Sequence, residues 1–412
     1  MFDVLIIGGG AAGFYTAIQT ALKNPSLKIG ILERGAQVLT KVKISGGGRC
    51  NVTHAEFVPN ELAKNYPRGE KELRGPFHTY CSGDTIAFFE ERGVALKIED
   101  DGRMFPVSNN SQTIIDCFLN EANALGISVH TNTPVIAIEQ QMESGTENWK
   151  ITAKKETFTA VKLVIATGSN PKVWNMLQGL AHRIVAPVPS LFTFNCKDNR
   201  IATIPGVSTY AAVSVHSSSK KGPHLEAEGP VLITHWGFSG PAILKLSAWG
   251  ARELYDCDYQ FKIKINWLPS YSTEEVMSFL MQCKEEQPKK TILKYAQFEL
   301  PKRLWQQLVQ ACNIVSTRTW ADCSKQEIHA LVEVLTESHF QINGKSTFKE
   351  EFVTAGGVAL KEVNFKTYES KLHPNLYFAG EVLNIDAITG GFNFQNAWTS
   401  GYIAAQAIAH KE

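Results

Sequence analysis

A glycine-rich turn near the start of the chain contains the residue types that bind a diphosphate. The apolar run Phe2 to Ile7 leads into Gly8-Gly9-Gly10-Ala11-Ala12-Gly13, and helix-forming residues continue to Leu22. Glycines let the backbone approach a pyrophosphate closely, and free N–H groups at a helix start point toward that anion. The spacing predicts a strand, a tight turn and a helix that bind a dinucleotide through Gly8, Gly10 and Gly13.

An acidic residue at the correct distance strengthens this interpretation. Glu33 stands twenty positions beyond Gly13 and closes a second apolar run, Ile29 to Leu32. A carboxylate at that point accepts hydrogen bonds from the ribose hydroxyls of adenosine. A glycine motif alone is a weak signal, and the alternative is a glycine-rich loop that binds no nucleotide. The ordered strand, turn, helix, strand and acid favour the nucleotide.

A second glycine-dense segment, Ile44 to Asn51, contains three glycines, a serine, an arginine and an asparagine. Its backbone N–H groups and a fixed guanidinium can contact a phosphate or the edge of a cofactor ring. The alternative is a flexible surface loop. Cys50 stands beside Arg49, which would lower the pKa of its thiol. Since no second cysteine is near in sequence, packing or cofactor contact is favoured over thiol catalysis.

The end of the chain again has the pattern of a nucleotide-binding fold. Asn375 to Glu381 predicts a strand that ends in Gly-Glu, and Gly390-Gly391 precedes a helix from Phe394 to Ala409. Many FAD enzymes hold the ribityl hydroxyls with such a Gly-Glu pair. A positive helix end near the flavin would stabilise the negative charge that follows two-electron reduction. An ordinary glycine turn before a C-terminal helix is the alternative.

Composition limits the classes of partner. The chain has 412 residues, 44% of them hydrophobic, which is enough for two or three domains. The formal net charge of +1 recommends neither nucleic acid, an acidic polymer nor a membrane surface. The most basic stretch, Lys284 to Arg303, is interleaved with glutamates, so a solvated helix face is favoured over a polyanion site.

The cysteines and the chain start bear on location. Eight cysteines are scattered without a CxxC pair, which indicates neither a zinc site nor a dithiol redox motif. Reduced thiols fit a cytosolic compartment. The first strand leaves no room for a signal peptide, and no apolar run is long enough for a membrane span. We expect a cytoplasmic protein with neither membrane nor metal.

Residues 1–189 must position these motifs as an α/β domain. Helical periodicity appears at 84–92 and 111–125, and 163–165 reads as a buried strand. Three short strands are expected at 134–140, 149–154 and 156–160, with 143–147 a polar connection. Three antiparallel strands followed by a return to the parallel sheet favour FAD over NAD as the cofactor.

The pattern changes from about Pro189. Strands are expected at 207–217, 231–234 and 260–266, as in a small β-domain. Capping signals at Ser272, Pro301 and Ser324 then predict three helices. Their apolar stripes, expected to be core, contain Val276, Phe279, Leu280, Cys283, Ile328, Leu331, Val332 and Leu335. The prediction is an FAD-binding domain from 1–189 and 351–412, and an inserted β-domain at 190–350 with a helical subdomain at about 272–336.

Five segments give the chain a specific resemblance. They read ISGGGRCNVT at 44–53, GRMFPVS at 102–108, THWGFSGPAIL at 234–244, TAGGV at 354–358 and YFAGEVLNIDAITGGFN at 377–393. The combination resembles the BaiN-like (YhiN-type) NAD(P)/FAD-dependent oxidoreductases, which include aminoacetone-oxidase-like flavoproteins. The resemblance implies an α/β, two-dinucleotide-binding (Rossmann-like) FAD domain built from both chain ends, with an inserted β-domain. It also implies oxidation of small amines or reduction of enones like dehydro-bile acids.

The resemblance also implies which residues contact FAD. By position these are Gly8, Gly10, Gly13, Glu33, Arg34, Lys41, Ser45, Gly48, Arg49, Asn51, Val135, Gly168, Gly380, Glu381, Asp386, Gly391, Phe392 and Asn393. The chain departs from the family pattern at Ser169 and Ala387, where glycine is common, and in a shortened segment at 170–174. The backbone near the flavin is expected to differ there.

His235, before the turn Gly237-Phe238-Ser239-Gly240-Pro241, is the candidate for proton transfer, because it titrates in the required range. A structural histidine in that turn is the alternative. We expect an FAD-dependent oxidoreductase that transfers a hydride between flavin and a small organic substrate. NAD(P)H, oxygen or a quinone-like carrier would be the electron partner. An oxygen-using amine oxidase and a tRNA-associated flavoprotein are the competing hypotheses.

Overall fold

The computed structural model describes residues 1–143, 146–216, 225–346 and 353–410. The strands are β1 Phe2–Ile7, β2 Ile29–Leu32, β3 Thr53–His54, β4 Leu96–Ile98, β5 Arg103–Pro106, β6 Ser128–His130, β7 Val135–Glu143, β8 Thr146–Ala153, β9 Thr157–Ile165, β10 Ile184–Ser190, β11 Thr193–Asn195, β12 Ser208–His216, β13 Glu226–Ile233, β14 Gly237–Ser239, β15 Gln260–Asn266, β16 Ser338–Asn343, β17 Lys345–Ser346, β18 Val353–Val358, β19 Val363–Asn364, β20 Glu369–Ser370 and β21 Leu376–Phe378. The α-helices are α1 Ala11–Lys23, α2 Thr40–Gly48, α3 Pro59–Ala63, α4 Glu70–Thr79, α5 Ser82–Glu90, α6 Gln112–Ala124, α7 Pro171–Gly179, α8 Asn199–Ala202, α9 Pro241–Trp249, α10 Ala251–Asp256, α11 Thr273–Glu286, α12 Lys302–Ala311, α13 Lys325–Thr336 and α14 Phe392–Ala409.

The chain divides into two compact units. Unit 1 comprises Met1–Val188 and Lys349–Glu412, and unit 2 comprises Pro189–Phe348. Each unit has its own buried apolar cluster. Within the described ranges, no helix is both long and apolar enough to cross a membrane.

Parallel strands form the centre of the unit 1 sheet, in the order β6-β2-β1-β9-β21. Ile7 of β1 pairs with Leu32 of β2 and with Ile165 of β9. Ile165 also pairs with Phe378 of β21. The carboxyl ends of these strands therefore coincide, and ligands of open α/β sheets bind beyond that edge.

The antiparallel strands expected before the return to the parallel sheet are present, with two differences from the sequence prediction. β7 pairs with β8, and β8 pairs with the first half of β9. The expected strands 156–160 and 163–165 form one continuous strand, because the pairing of β9 with β1 runs from Ala160 to Ile165. The polar connection expected at 143–147 is shorter than predicted, because β7 runs to Glu143 and β8 begins at Thr146. Residues 144 and 145 lie outside the described residues.

The first long helix packs against the last. A Cβ added at Gly401 of α14 would lie 2.9 Å from Thr16 Oγ1 of α1, so the glycine permits this close approach. The rings of Tyr15 and Trp398 lie 5.2 Å apart between centroids, and both are buried. Burial of one large apolar side chain contributes about 1.5–3 kcal/mol. The two ends of the chain thus share one hydrophobic core.

Unit 2 is built on an antiparallel sheet in the order β16-β15-β12-β13-β14-β11-β17. β12 covers most of the expected strand 207–217, whose last residue lies outside the described part of the chain. Helices α11 and α13 begin with complete capping boxes at Ser272 and Ser324, which confirms both signals.

Two expectations for the helical region were wrong. Phe279 is 37% exposed rather than core, because its ring packs on Phe298 of the following loop at 4.4 Å between centroids. The basic stretch is not one helix face, since α11 ends at Glu286 and α12 begins at Lys302. Lys290 and Lys294 lie instead in a loop, with their Nζ atoms 5.2 and 5.6 Å from the Tyr295 ring centroid.

Candidate functional site

The turn between β1 and α1 has the geometry of a diphosphate cradle. A Cβ at Gly13 would lie 1.9 Å from the Gly8 carbonyl oxygen, so only glycine allows the helix to begin this close to the strand. No described atom lies within 4 Å of a Cβ built at Gly10, which leaves that side of the turn open. Among the described side chains none caps α1. The uncapped N–H groups of its first turn can therefore donate hydrogen bonds to an anion.

Glu33 lies beside this turn, as the spacing predicts. Its Oε2 accepts a hydrogen bond from the Gly9 N–H at 2.9 Å, and its Oε1 accepts one from the Gly35 N–H at 2.7 Å. These bonds hold the carboxylate at the carboxyl end of β2, where a ribose would meet it. Arg34 is exposed and Val135 is half-buried.

The glycine-dense segment Ile44 to Asn51 is helical only at its start. Backbone angles leave the helix at Ser45, Gly46 and Gly47, so α2 is one turn followed by a glycine loop. At Gly48, as at Gly47, an added Cβ meets none of the described atoms within 4 Å. Asn51 is buried, and its Oδ1 accepts a hydrogen bond from the Met104 N–H at 3.3 Å.

Arg49 is held in place by two residues that sequence reasoning missed. Its guanidinium lies 3.9 Å above the ring of Phe105 and 2.6 Å from Glu99 Oε1. Both partners belong to the segment around β5, about fifty positions later, and no local signal connects them. Arg49 therefore presents a fixed cation beside the glycine loop.

Four distant segments meet at the pair Gly380-Glu381. Lys41 Nζ lies 2.7 Å from Glu381 Oε2, and the Thr354 N–H donates to Glu381 Oε1 at 3.3 Å. A Cβ at Gly168 would lie 3.5 Å from the same carboxylate. Gly380, with φ of 73°, donates its N–H to Ser400 Oγ at 2.9 Å. The start, middle and end of the chain thus build one edge of the site.

The loop from Asp386 to the start of α14 is fixed by several contacts. The Asn393 side chain forms two hydrogen bonds with the backbone of Ala387. Its Oδ1 accepts from the Ala387 N–H at 3.0 Å, and its Nδ2 donates to the Ala387 carbonyl at 3.2 Å. Tyr66 OH donates to the Phe392 carbonyl at 2.6 Å. Asp386 is fully buried and forms an ion pair with Arg68. No local pattern predicts a role for Tyr66 or Arg68, because their partners lie more than three hundred positions away.

Cys50 and His235 occupy different environments. Cys50 is buried, and removal from water raises the pKa of its thiol to about 12, despite the neighbouring arginine. That thiol is protonated at neutral pH, which fits the packing role. His235 is exposed in the turn between β13 and β14 of unit 2, and its part in catalysis stays a prediction. In the described ranges, no group of three or more His, Cys, Asp and Glu could hold a metal ion.

The residues at the sheet edge fit FAD on three observations. The turn at Gly10 is open. Within the described residues, no side chain caps the first turn of α1 or of α14. Thr354 Oγ1 is buried and has no hydrogen-bond partner in the described part of the chain. A polar cofactor satisfies such groups. The fold and site define an FAD-dependent oxidoreductase with a Rossmann-like domain.

The chain belongs to the HI0933-like family, since residues 2–407 match the HI0933-like protein Rossmann domain. A ribosomal RNA dihydrouridine synthase of Haemophilus influenzae is 28% identical, over 99% of this chain and 98% of the relative. A 3-dehydro-bile acid delta(4,6)-reductase of Clostridium scindens is 26% identical, over 98% of each chain. The resemblance to the BaiN-like (YhiN-type) proteins is confirmed.

Solved structures share the fold. A 3-ketosteroid-delta4-(5alpha)-dehydrogenase from Rhodococcus jostii matches with a TM-score of 0.51 and 11% identity, over 100% of this chain and 97% of that chain. A flavocytochrome c3 fumarate reductase matches with a TM-score of 0.50 and 15% identity, over 99% and 78%. The expected fold class and the FAD cofactor are confirmed.

Proposed function

We propose that the protein transfers a hydride to a carbon–carbon double bond conjugated to a carbonyl group, in a small organic substrate. Two differently named relatives support this reaction. One is named a delta(4,6)-reductase of a 3-dehydro-bile acid. The other is named for dihydrouridine, which is uridine with the ring double bond beside a carbonyl saturated. The names share a reaction but not a substrate, so the relatives support the reaction class better than any particular substrate.

The step balances as a hydride and a proton. The hydride adds to the alkene carbon farther from the carbonyl, and a proton adds to its neighbour. When bound, FAD would supply the hydride, and NAD(P)H or another two-electron carrier would supply the electrons for it. We propose His235 as the source of the proton, because its side chain is exposed in a turn whose sequence belongs to the resemblance.

The FAD contacts implied by the resemblance are also proposals, and the geometry of unit 1 supports them. Gly10 and the first turn of α1 would hold the pyrophosphate, and Glu33 the adenosine ribose. Glu381 and Lys41 would meet the ribityl chain. The start of α14 would stabilise the negative charge that collects on the pyrimidine ring upon reduction.

An anaerobic titration tests the proposed reaction. The purified protein is reduced with NADH, NADPH or dithionite, and a cyclic enone is then added while the flavin absorbance is followed. We expect reoxidation of the flavin with one equivalent of saturated ketone. A reduced protein that no enone reoxidises, together with peroxide release during aerobic turnover of aminoacetone, would overturn the proposal in favour of an amine oxidase.

A second candidate substrate is a uridine in ribosomal RNA. The relatives from Haemophilus influenzae and Escherichia coli carry that name, whereas the near-neutral charge of this chain predicts no nucleic acid partner. The reduced protein is incubated with a ribosomal RNA transcript, and nucleosides are analysed by mass spectrometry. Dihydrouridine formed at a rate above that of enone reduction would favour the RNA substrate, and its absence would favour the small molecule.

We also propose a cytoplasmic location. The eight cysteines are free thiols, as is usual in a reducing compartment. Fractionation of the native host, with the protein followed by antibody, tests this proposal.

A further inference from the structure

A fully buried amide connects the first turn of α14 to two other segments of unit 1. Gln395 Oε1 accepts hydrogen bonds from Thr53 Oγ1 at 2.6 Å and from Thr85 Oγ1 at 2.9 Å. Gln395 Nε2 donates to Thr399 Oγ1 at 3.1 Å, and that hydroxyl donates to the Tyr80 carbonyl at 3.0 Å. The four side chains are 0% exposed, so water cannot replace any lost partner.

Thr53, one of these partners, also contacts the N-cap of α14. Gly391, the N-cap of the helix, has φ of 94°, and a Cβ there would lie 2.5 Å from the Thr53 carbonyl oxygen. The backbone N–H of Gln395 donates to the Gly391 carbonyl at 3.0 Å. Gln395 therefore bonds both to the cap of the helix and to the segment that the cap touches. Movement of the helix start would break buried hydrogen bonds.

The position of this helix start has an electrostatic consequence. A helix N-terminus carries roughly half a positive charge, and within the described chain no side chain caps α14. Such a dipole stabilises a developing negative charge only when it is held in place before the charge forms. The buried network around Gln395 supplies that rigidity.

We propose that Gln395 is a positioning residue that sets the reduction potential of the bound FAD. It holds the N-terminus of α14 where the pyrimidine ring of the flavin would lie, and negative charge would collect on that ring upon reduction. The inference rests on the cofactor placement proposed above and is independent of which substrate is reduced.

The test is the midpoint potential of the FAD-loaded protein, measured without substrate. Q395M keeps the volume of the side chain but removes both polar groups. We expect the reduced cofactor to bind about tenfold more weakly relative to the oxidised one, which lowers a two-electron potential by about 30 mV. Q395E keeps the acceptors for Thr53 and Thr85 but adds a charge. Its potential should fall when the carboxyl ionises and approach the wild-type value at lower pH.

A buried glutamine in α1 provides the matched control. Gln19 is 9% exposed, belongs to the same unit and lies two turns into its helix. Q19M should lower thermal stability and leave the potential unchanged. Wild-type potentials in both Gln395 variants would overturn the proposal, and so would a shift in Q19M as large as that in Q395M. If Q395M does not fold, a Q395E potential with the wild-type pH dependence overturns it. Enone turnover is a separate measurement, so failure of the proposed reaction leaves this result interpretable.

Discussion

The ion pair between Arg68 and Asp386 gives a stability prediction whose size follows from burial. Asp386 is 0% exposed and Arg68 is 14% exposed, and Arg68 Nε lies 2.6 Å from Asp386 Oδ1. R68M removes the guanidinium that faces a carboxylate in the core, and breaking a buried ion pair in this way typically costs about 3–5 kcal/mol. For a domain of this size that corresponds to a fall in melting temperature of roughly 10 °C. The same change should free the loop that precedes α14 and weaken FAD binding.

Thermal unfolding of the FAD-saturated protein, followed by flavin fluorescence, measures this effect. The matched control is R74M, because Arg74 and Glu70 form an exposed pair, 52% and 33% accessible, that should be worth about 0.5 kcal/mol or less. The double variant R68M/D386L is compared with R68M in the absence of FAD, because Asp386 is among the predicted FAD contacts. It should recover part of the lost stability, since it removes both charges of the pair. Equal effects of R68M and R74M, or no recovery in the double variant, would refute the reasoning.

Three further predictions concern the turn, a buried histidine and a buried thiol. G13A should abolish FAD binding in a fluorescence titration, because the new methyl group would lie 1.9 Å from the Gly8 carbonyl oxygen. The control G83A should bind FAD normally, because its methyl group meets one atom, at 3.9 Å. Burial lowers the pKa of His182 below 6.5, so its neutral form is favoured in the folded state. Stability should therefore fall as pH drops below about 6.5, and the pH dependence of the melting temperature should be weaker in H182Q. Burial raises the pKa of the Cys50 thiol to about 12, so this thiol should resist alkylation by iodoacetamide at about pH 8 in the native protein. C50A should keep most of the turnover rate. Rapid alkylation of Cys50 in the native protein, detected by mass spectrometry, would contradict the protonated thiol.

Local signals in the sequence predicted the elements well where a short-range physical rule applies. The Gly8 to Gly13 turn, the capping boxes at Ser272 and Ser324, and the strand 260–266 depend on steric, hydrogen-bonding and alternation rules within a few residues. Errors appeared where a distant partner decides. Phe279 fits the apolar stripe of α11 by spacing, yet it packs on Phe298 rather than in the core.

The candidate site shows the same division. The glycines, Glu33 and Glu381 were identifiable because a diphosphate or a sugar requires those residue types at those positions along the chain. The supports of the site, Tyr66, Arg68 and Gln395, were not, since a buried hydrogen bond or ion pair leaves no periodic trace in sequence. Their roles became visible only from distances and burial.

The sequence by itself determined that this chain folds as an FAD-binding α/β protein, because a glycine turn, an acid and a Gly-Glu strand end are local solutions to the chemistry of one cofactor. The tertiary structure alone decided how those pieces meet. Lys41 and Glu381 are 340 positions apart in sequence, but Lys41 Nζ lies 2.7 Å from Glu381 Oε2. They meet because the parallel strands place their carboxyl ends at one edge of the sheet and because α1 packs against α14. Contacts of that kind depend on the packing of whole elements, and a linear pattern does not encode them.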